Sequence, residues 1–190
     1  MERKIILASK SPRRKQILAD MGYRFEIIPS EYEEVLPDKE FEPVMIQELA
    51  FNKANDVAKK LGGEFIIIGA DTMVIHNKSV LGKPSSKEDA FRMLTNLSND
   101  KHYVVTGIAV IDNKTATIQK DFVITYVTFN ELTDKMINDY IENYNPLDKA
   151  GAYGIQELPA GFVKSVEGEF DNVVGLPSKA LNSMLQKILV

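Results

Sequence analysis

The feature that most constrains the fold is a short apolar run that leads directly into a basic helix start. The run Ile5–Ala8 predicts a buried strand, and the Ser11-Pro12 pair suits the cap and first turn of a helix. Arg13 and Arg14 then fall in that first turn, where the positive end of the helix dipole disfavours cations. These two arginines therefore require an explanation.

An anion facing the two arginines would explain them. Free backbone N–H groups, the helix dipole and two guanidinium groups together would form a phosphate-binding cradle. The same residues also fit a solvated basic turn without a ligand, and this segment alone favours neither reading. Residues 1–15 contain six basic side chains and one acidic one, whereas the whole chain has a net charge of −4. This distribution suits a small anionic ligand and argues against a broad nucleic-acid-binding surface.

Composition limits the other function classes. The 190 residues are enough for one domain, residues 1–190, with a sizeable core or two small lobes. With no cysteine and two histidines, disulfides and a zinc site are not expected, so any metal would be magnesium or manganese held by carboxylates. The chain has no apolar run of membrane-spanning length and no signal-peptide core at its start, so we expect a cytoplasmic protein with no membrane partner.

A second motif combines a buried strand with an acidic residue. The continuous apolar run Phe65–Ala70 is typical of a strand buried on both faces, and Asp71 and Thr72 follow it. We expect Asp71 at the C-terminal end of a parallel strand, where open α/β sheets bind ligands, with a turn aspartate or helix cap as the alternative. Lys53 lies beside the apolar stripe of a helix predicted over residues 43–61, as a ligand or as a snorkelling surface lysine.

Further segments complete the predicted architecture. Residues 73–81 predict a hairpin with His76 on its exposed face. Lys83, between glycine and proline, is a candidate point charge for phosphate, although such a tripeptide is also a common turn. Strands over residues 102–111 and 115–129 predict an antiparallel ribbon and hence a mixed sheet, with Gly107 marking a bulge or a close ligand. The loop over residues 147–156 is rich in small residues, and we expect little packing to hold it.

Taken together, these patterns predict an α/β fold with a mixed twisted sheet, flanking helices and two lobes. Cations and carboxylates, without cysteine or a zinc motif, suggest metal-assisted phosphate chemistry. No Walker A sequence is present, so a P-loop enzyme is not expected.

Five motifs, in order, resemble the Maf family. They are Leu-Ala-Ser-Lys-Ser-Pro-Arg-Arg at 7–14, Gly-Ala-Asp-Thr at 69–72, Gly-Lys-Pro at 82–84, Asp-Lys-Ala-Gly-Ala-Tyr-Gly-Ile-Gln at 148–156 and Asn-Val-Val-Gly-Leu-Pro at 172–177. The resemblance implies a metal-dependent pyrophosphatase that converts a nucleoside triphosphate to the monophosphate and diphosphate. It also implies an inosine-triphosphatase-like fold of the Maf/Ham1 type, with a cleft between two lobes.

The resemblance assigns roles to individual residues. It makes Asp71 the proton acceptor that activates water. It links substrate choice to Arg13, Thr72 and Gln156. Polar cleft positions, which we assign to the phosphates, fall on Ser9, Arg14, Lys53 and Lys83. The expected metal ligands are Asp71 and the acidic pair Glu33-Glu34, of which Glu34 is favoured.

The family resemblance also predicts a substrate class. The Ala-Gly-Ala-Tyr-Gly-Ile-Gln form resembles the subgroup that acts on dTTP and UTP. The alternative is a subgroup that acts on 7-methyl-GTP or another modified nucleotide. A second alternative is a regulator of septum formation and cell division that acts mainly by binding a partner or DNA, although the acidic composition disfavours DNA. The family further suggests a homodimer.

Overall fold

The computed structural model describes residues 3–33 and 41–189. Across these residues the strands are β1 (Lys4–Leu7), β2 (Phe25–Ile27), β3 (Phe65–His76), β4 (Ser79–Leu81), β5 (Lys101–Asp112), β6 (Thr117–Phe129) and β7 (Val163–Glu167). The helices are α1 (Pro12–Asp20), α2 (Val44–Ala58), α3 (Lys87–Leu97), α4 (Asp134–Asn143), α5 (Phe170–Val174) and α6 (Ser178–Leu189), with 3-10 turns at Pro146–Asp148 and Ala150–Ala152. No helix in the described ranges has the length and apolarity needed to cross a membrane.

The seven strands form one sheet in the order β2-β1-β3-β5-β6-β7, with β4 paired to β3. Strand β1 runs parallel to β2 and to the first part of β3. The pairs β3–β4 and β6–β7 are antiparallel. The predicted mixed sheet with flanking helices is therefore confirmed.

The chain divides into two compact units. The first unit comprises Met1–Asp71, Thr106–Val123 and Gly175–Val190, and the second unit comprises Thr72–Val105 and Ile124–Val174. Strands β3, β5 and β6 each contribute one part to each unit, because the boundaries fall inside them. The expectation of one domain over residues 1–190 with a cleft between lobes stays a prediction.

In the first unit, helix α2 lies directly on the sheet. A Cβ atom at Gly69 would collide with the carbonyl oxygen of Ala50, and one at Gly107 would collide with that of Ile46. Both carbonyls belong to α2, so the two glycines allow its backbone to approach the strands. The predicted bulge or ligand at Gly107 is wrong, since β5 continues through it and the close neighbour is this helix.

The second unit has its own apolar core, in which aromatic residues of the loop after α4 take part. Phe129, Tyr140, Tyr153 and Phe162 pack against each other with ring centroids 5.0 to 6.4 Å apart. Residues 151–153 are all buried. The expectation that little packing would hold this loop is therefore wrong, because Tyr153 anchors it in the core.

The predicted hairpin is confirmed, but one of its side chains is not where we expect it. Val74 pairs with Leu81 and His76 pairs with Ser79. His76 is only 8% exposed, and its Nε2 lies 2.8 Å from Asp100 Oδ2. The predicted exposed position of His76 is therefore wrong, since a contact distant in sequence buries the ring.

Candidate active site

Asp71 lies inside a long strand. The parallel pairing of β1 with β3 ends at Ile68, and the antiparallel pairing of β3 with β4 begins at Val74. The expectation that Asp71 ends its strand is wrong, because the hairpin extends β3 to His76. Asp71 nevertheless lies just beyond the parallel segment, and strand backbone continues on both sides of it.

A buried ion pair holds one oxygen of this carboxylate. Lys53 on α2 places its Nζ atom 2.8 Å from Asp71 Oδ1, and the two side chains are 13% and 7% exposed. In the described part of the chain, Asp71 Oδ2 is buried and accepts no hydrogen bond. A buried carboxylate oxygen that lacks a partner is rare in folded proteins and is characteristic of functional sites. This oxygen is available to a water proton or to a cation.

The described side chains around Asp71 provide only part of the ligands that a divalent cation needs. Asp71 Oδ2 provides one buried, negatively charged oxygen, which is the ligand type that magnesium and manganese prefer. Glu33 is exposed, and Glu34 lies outside the described residues. Within residues 3–33 and 41–189 no group of three His, Cys, Asp or Glu side chains forms a metal cluster. The described residues thus supply one suitable oxygen for a cation, and the predicted ligand Glu34 would have to complete the set.

The segment that leads to Glu33 is fastened to the same helix as Lys53. Asp56 Oδ2 accepts hydrogen bonds from Ser30 Oγ at 2.9 Å and from the Glu31 backbone N–H at 2.8 Å. These bonds, the backbone one first, lower the pKa of the Asp56 carboxyl. Sequence reasoning missed this role of Asp56, for which the spacing of three residues from Lys53 on one helix was the available signal.

The basic helix start is built as predicted. Ser11 Oγ caps α1 by accepting from the Arg14 N–H at 3.4 Å. The buried Ser9 hydroxyl oxygen accepts from the Ser11 N–H at 3.2 Å and from Arg14 Nη1 at 3.3 Å. Arg14 Nε donates to the Gly175 carbonyl at 2.8 Å, so this arginine also ties α1 to the segment before α6. Arg13 is half-buried in the same turn.

The other predicted residues belong to the second unit. Thr72 is half-buried in β3, whereas Lys83 and Gln156 are exposed. The Gly151 N–H donates to the Gly82 carbonyl at 3.0 Å, which joins the segment carrying Lys83 to the loop carrying Gln156. The structure therefore brings together Lys53 with Asp71, Ser9 with Arg14, and the backbone segments of Lys83 and Gln156.

Comparison with known proteins decides the family. The family model described as Maf-like protein matches residues 4–188. The chain belongs to the Maf family. The Maf chain is 47% identical over 184 residues to a dTTP/UTP pyrophosphatase of Alkaliphilus oremlandii (strain OhILAs), covering 97% of this chain and 95% of the relative. It is 45% identical over 184 residues to a dTTP/UTP pyrophosphatase of Thermoanaerobacter sp. (strain X514), and the alignment covers 97% of this chain and 96% of the relative.

A solved structure supports the fold of the Maf chain. A HAM1 protein from Coxiella burnetii aligns with a TM-score of 0.53 at 14% sequence identity, over 98% of this chain and 100% of that one. At this identity the similarity concerns the fold alone. It confirms the prediction of a Maf/Ham1-type architecture.

The Maf chain also contains a buried lysine that sequence reasoning passed over. Lys149 is 5% exposed, although it lies in a loop of small residues. Its Nζ atom donates to the Asn145 carbonyl and to Asp148 Oδ1 at 2.8 Å. It also forms an ion pair with Glu157 Oε2 at 3.1 Å. The sequence offered only the neighbouring Asp148 as a signal, since the contact with Glu157 depends on the folded loop.

Proposed function

We propose that this protein is a nucleoside triphosphate pyrophosphatase that hydrolyses dTTP and UTP to the monophosphate and diphosphate. The observation that carries the proposal is the half-paired buried carboxylate of Asp71. It stands in a chain that matches the Maf family over residues 4–188 and relatives named dTTP/UTP pyrophosphatase over nearly their full length. The site and the relatives thus support the same activity.

In the proposed reaction Asp71 acts as the general base. Its Oδ2 atom takes a proton from a water molecule, while Lys53 keeps Oδ1 in place. The water oxygen forms a bond to the α-phosphorus, and the bond from that phosphorus to the bridging oxygen of the diphosphate breaks. The diphosphate leaves with the electron pair of that bond, and the nucleotide remains as the monophosphate.

Positive charge must offset the charge of the triphosphate as the bond breaks. We assign this role to Arg13, Arg14, Lys53 and Lys83, with Ser9 donating its hydroxyl to a phosphate oxygen. Arg14 and Ser9 are already hydrogen-bonded to each other, so the cradle at α1 is ordered before substrate binds. Preorganised donors of this kind need no rearrangement during the reaction.

We further propose a magnesium or manganese ion on Asp71 and the acidic pair Glu33-Glu34, with Glu34 the favoured partner. When bound, such an ion withdraws charge from the phosphate oxygens and favours the deprotonated water. The unpartnered Asp71 Oδ2 supports this assignment, since a carboxylate oxygen has two lone pairs and could bind the ion through one and accept the water proton through the other. The hydrogen bonds that Asp56 makes to the segment preceding Glu33 support it too.

Base selection is assigned to Gln156, together with Arg13 and Thr72. A glutamine amide offers one acceptor and a donor group, which matches the alternating edge of uracil and thymine. Cytosine carries an amino donor where uracil carries an acceptor. A site built to pair polar groups can discriminate by roughly 10⁴-fold, because a mismatched base leaves them unsatisfied.

The test is kcat/KM of the purified protein over a panel of nucleotides. We expect dTTP and UTP to be the best substrates, CTP, ATP and GTP to be poor, and diphosphate rather than phosphate to be released. A matched Gln156→Ala variant should lose activity on dTTP and UTP while keeping its metal dependence. Best activity on 7-methyl-GTP or ITP would refute the substrate class but not the pyrophosphatase. Release of no diphosphate from any nucleotide would refute the enzyme and favour the binding regulator.

The location, the absence of a nucleic-acid partner and the oligomeric state complete the proposal. We infer a cytoplasmic location, where nucleoside triphosphates are made and used, and no role for nucleic acid as a partner. We also infer a homodimer from the family resemblance. Light scattering on the purified protein would measure the mass directly, and a mass of 21.3 kDa would identify a monomer.

A further inference from the structure

We propose that Lys149 is a positioning residue that holds the turn presenting Gln156, and that base selection therefore depends on a side chain that never touches the base. The proposal rests on the function proposed above, because Gln156 is assigned to the base there. It concerns residues that all lie in the second unit.

The first observation is the burial of Lys149 among matched acceptors. A lysine that is 5% exposed is costly unless its charge is paired. Here the ammonium group donates to the Asn145 carbonyl and to Asp148 Oδ1, and it lies 3.1 Å from Glu157 Oε2 in an ion pair. The charge of the ammonium group is thus paired inside the loop by two hydrogen bonds and one ion pair. A role in binding phosphate from solution would require it to leave these partners.

The second observation is the path of the lysine side chain. A Cβ atom placed on Gly154 would lie 2.9 Å from Lys149 Cε and 3.1 Å from Cδ, so the methylene chain lies directly against this glycine. The Glu157 N–H donates to the Gly154 carbonyl at 2.9 Å and closes a turn over residues 154–157. Lys149 therefore contacts both ends of the turn, packing on Gly154 and pairing with Glu157.

Gln156 is the third residue of that turn and is exposed. The first residue of the turn has a second contact, since the Gly154 N–H donates to the Tyr140 hydroxyl at 3.2 Å. Gln156 can be well placed although it is exposed, because the first and last residues of its turn are both held. A small misplacement of a group that orients substrate is enough to reduce kcat/KM strongly.

The test compares three variants with wild type. Lys149→Met keeps most of the side-chain length and removes the charge. Gly154→Ala keeps every charge and displaces the lysine stem. Lys87→Met is the matched control, because Lys87 forms an exposed ion pair with Glu142 at 2.9 Å in the same unit. Each variant is assayed for kcat and KM with dTTP, UTP and CTP, and for hydrogen exchange at the amides of residues 154–157.

We expect Lys149→Met and Gly154→Ala to raise KM for dTTP and UTP by about tenfold or more, with a small change in kcat and in kcat/KM for CTP. The ratio of dTTP to CTP activity then falls. The Glu157 amide should exchange at least about tenfold faster, while amides of α4 stay unchanged. Lys87→Met should match wild type in all these measurements.

Three results would overturn the inference. One is a Lys149→Met variant with wild-type selectivity and exchange at the turn. Another is an equal loss of activity on all three nucleotides, which would indicate a purely structural lysine. The third is a Gln156→Ala variant with unchanged selectivity. If wild type hydrolyses neither dTTP nor UTP, the proposed function fails, and the exchange rate of the Glu157 amide alone then decides whether Lys149 holds the turn.

Discussion

The two oxygens of Asp71 have different surroundings, and this difference can be tested. Asp71→Asn keeps the shape of the side chain and an acceptor for Lys53 but removes the basic oxygen. We expect diphosphate release to fall by roughly 10²- to 10⁴-fold, the cost of losing a general base, while dTTP still binds. Calorimetric titration with dTTP would measure that binding.

The control for this change is Asp139→Asn. Asp139 is 60% exposed in an ion pair with Lys135, so its variant loses the same charge away from the site. Near-normal diphosphate release by Asp71→Asn would remove Asp71 from the role of base.

His102 is expected to make stability depend on pH. Burial, more than the charge of His76, lowers the pKa of His102 from 6.5 to about 4, although Asp100 opposes the shift. Between these values the unfolded chain binds a proton that the folded chain does not, so stability is present above pH 6.5 and is lost as pH falls towards 4. We expect a loss of about 2 kcal/mol between pH 7.5 and 5, measured by urea unfolding.

The comparison variant is His102→Gln, whose amide can replace the imidazole in the 2.7 Å hydrogen bond with the Tyr153 hydroxyl. Its stability should change less over the same range. Aspartates with lowered pKa values, such as Asp56 and Asp112, stabilise the fold throughout this pH range and lose that contribution only below it, because their unfolded pKa lies near 3.8. If the stability of wild type and of His102→Gln fell equally with pH, His102 would not be the cause of the pH dependence.

The position of helix α2 depends on two glycines outside it, Gly69 and Gly107, which allow its backbone to approach the sheet. Gly107→Ala places a methyl group against the Ile46 carbonyl, and backbone cannot yield as a side chain can. We expect a loss of about 3 kcal/mol of stability and reduced activity, since α2 also carries Lys53. Gly62→Ala is the control, because its Cβ would meet no atom within 4 Å. Unchanged stability in Gly107→Ala would mean that α2 can move away from the sheet.

Helix starts were predictable from sequence because their determinants are local. Ser11, Ser86 and Thr133 each accept a hydrogen bond from the N–H three residues later, as their position before a helix predicts. The burial of His76 and Lys149 could not be predicted in this way. Each depends on a partner brought close by the fold, and an isolated polar residue in a pattern does not reveal that partner.

The residues of the candidate site were predictable from the sequence, but their contacts were not. The residue types and the family resemblance selected Asp71 and Lys53, but their pairing depends on α2 lying against β3. The length of β3 was missed, since the polar residues Asp71 and Thr72 interrupt the apolar pattern of a strand that continues to His76. Acidic residues inside strands are disfavoured by propensity, so tertiary context overrode the local pattern.

For the whole molecule, metal removal should stop activity without unfolding. A catalytic cation held by carboxylates contributes little to the fold, unlike a structural zinc ion. We expect excess chelator to abolish diphosphate release, added magnesium or manganese to restore it, and the thermal transition to stay within about 2 °C. Full activity in chelator would contradict the carboxylate site, and so would a collapse of the transition.

The composition of the first unit has a consequence for synthesis on the ribosome. The unit that contains Lys53 and Asp71 also needs α6, the last element described, in which Leu181 and Leu185 are fully buried. Arg3 joins the two ends of this unit by donating to the Ile188 carbonyl. A nascent chain that stops before α6 therefore holds every predicted site residue but cannot complete the unit that contains Lys53 and Asp71. We therefore expect nucleotide hydrolysis to begin only after α6 has left the ribosome and folded onto this unit.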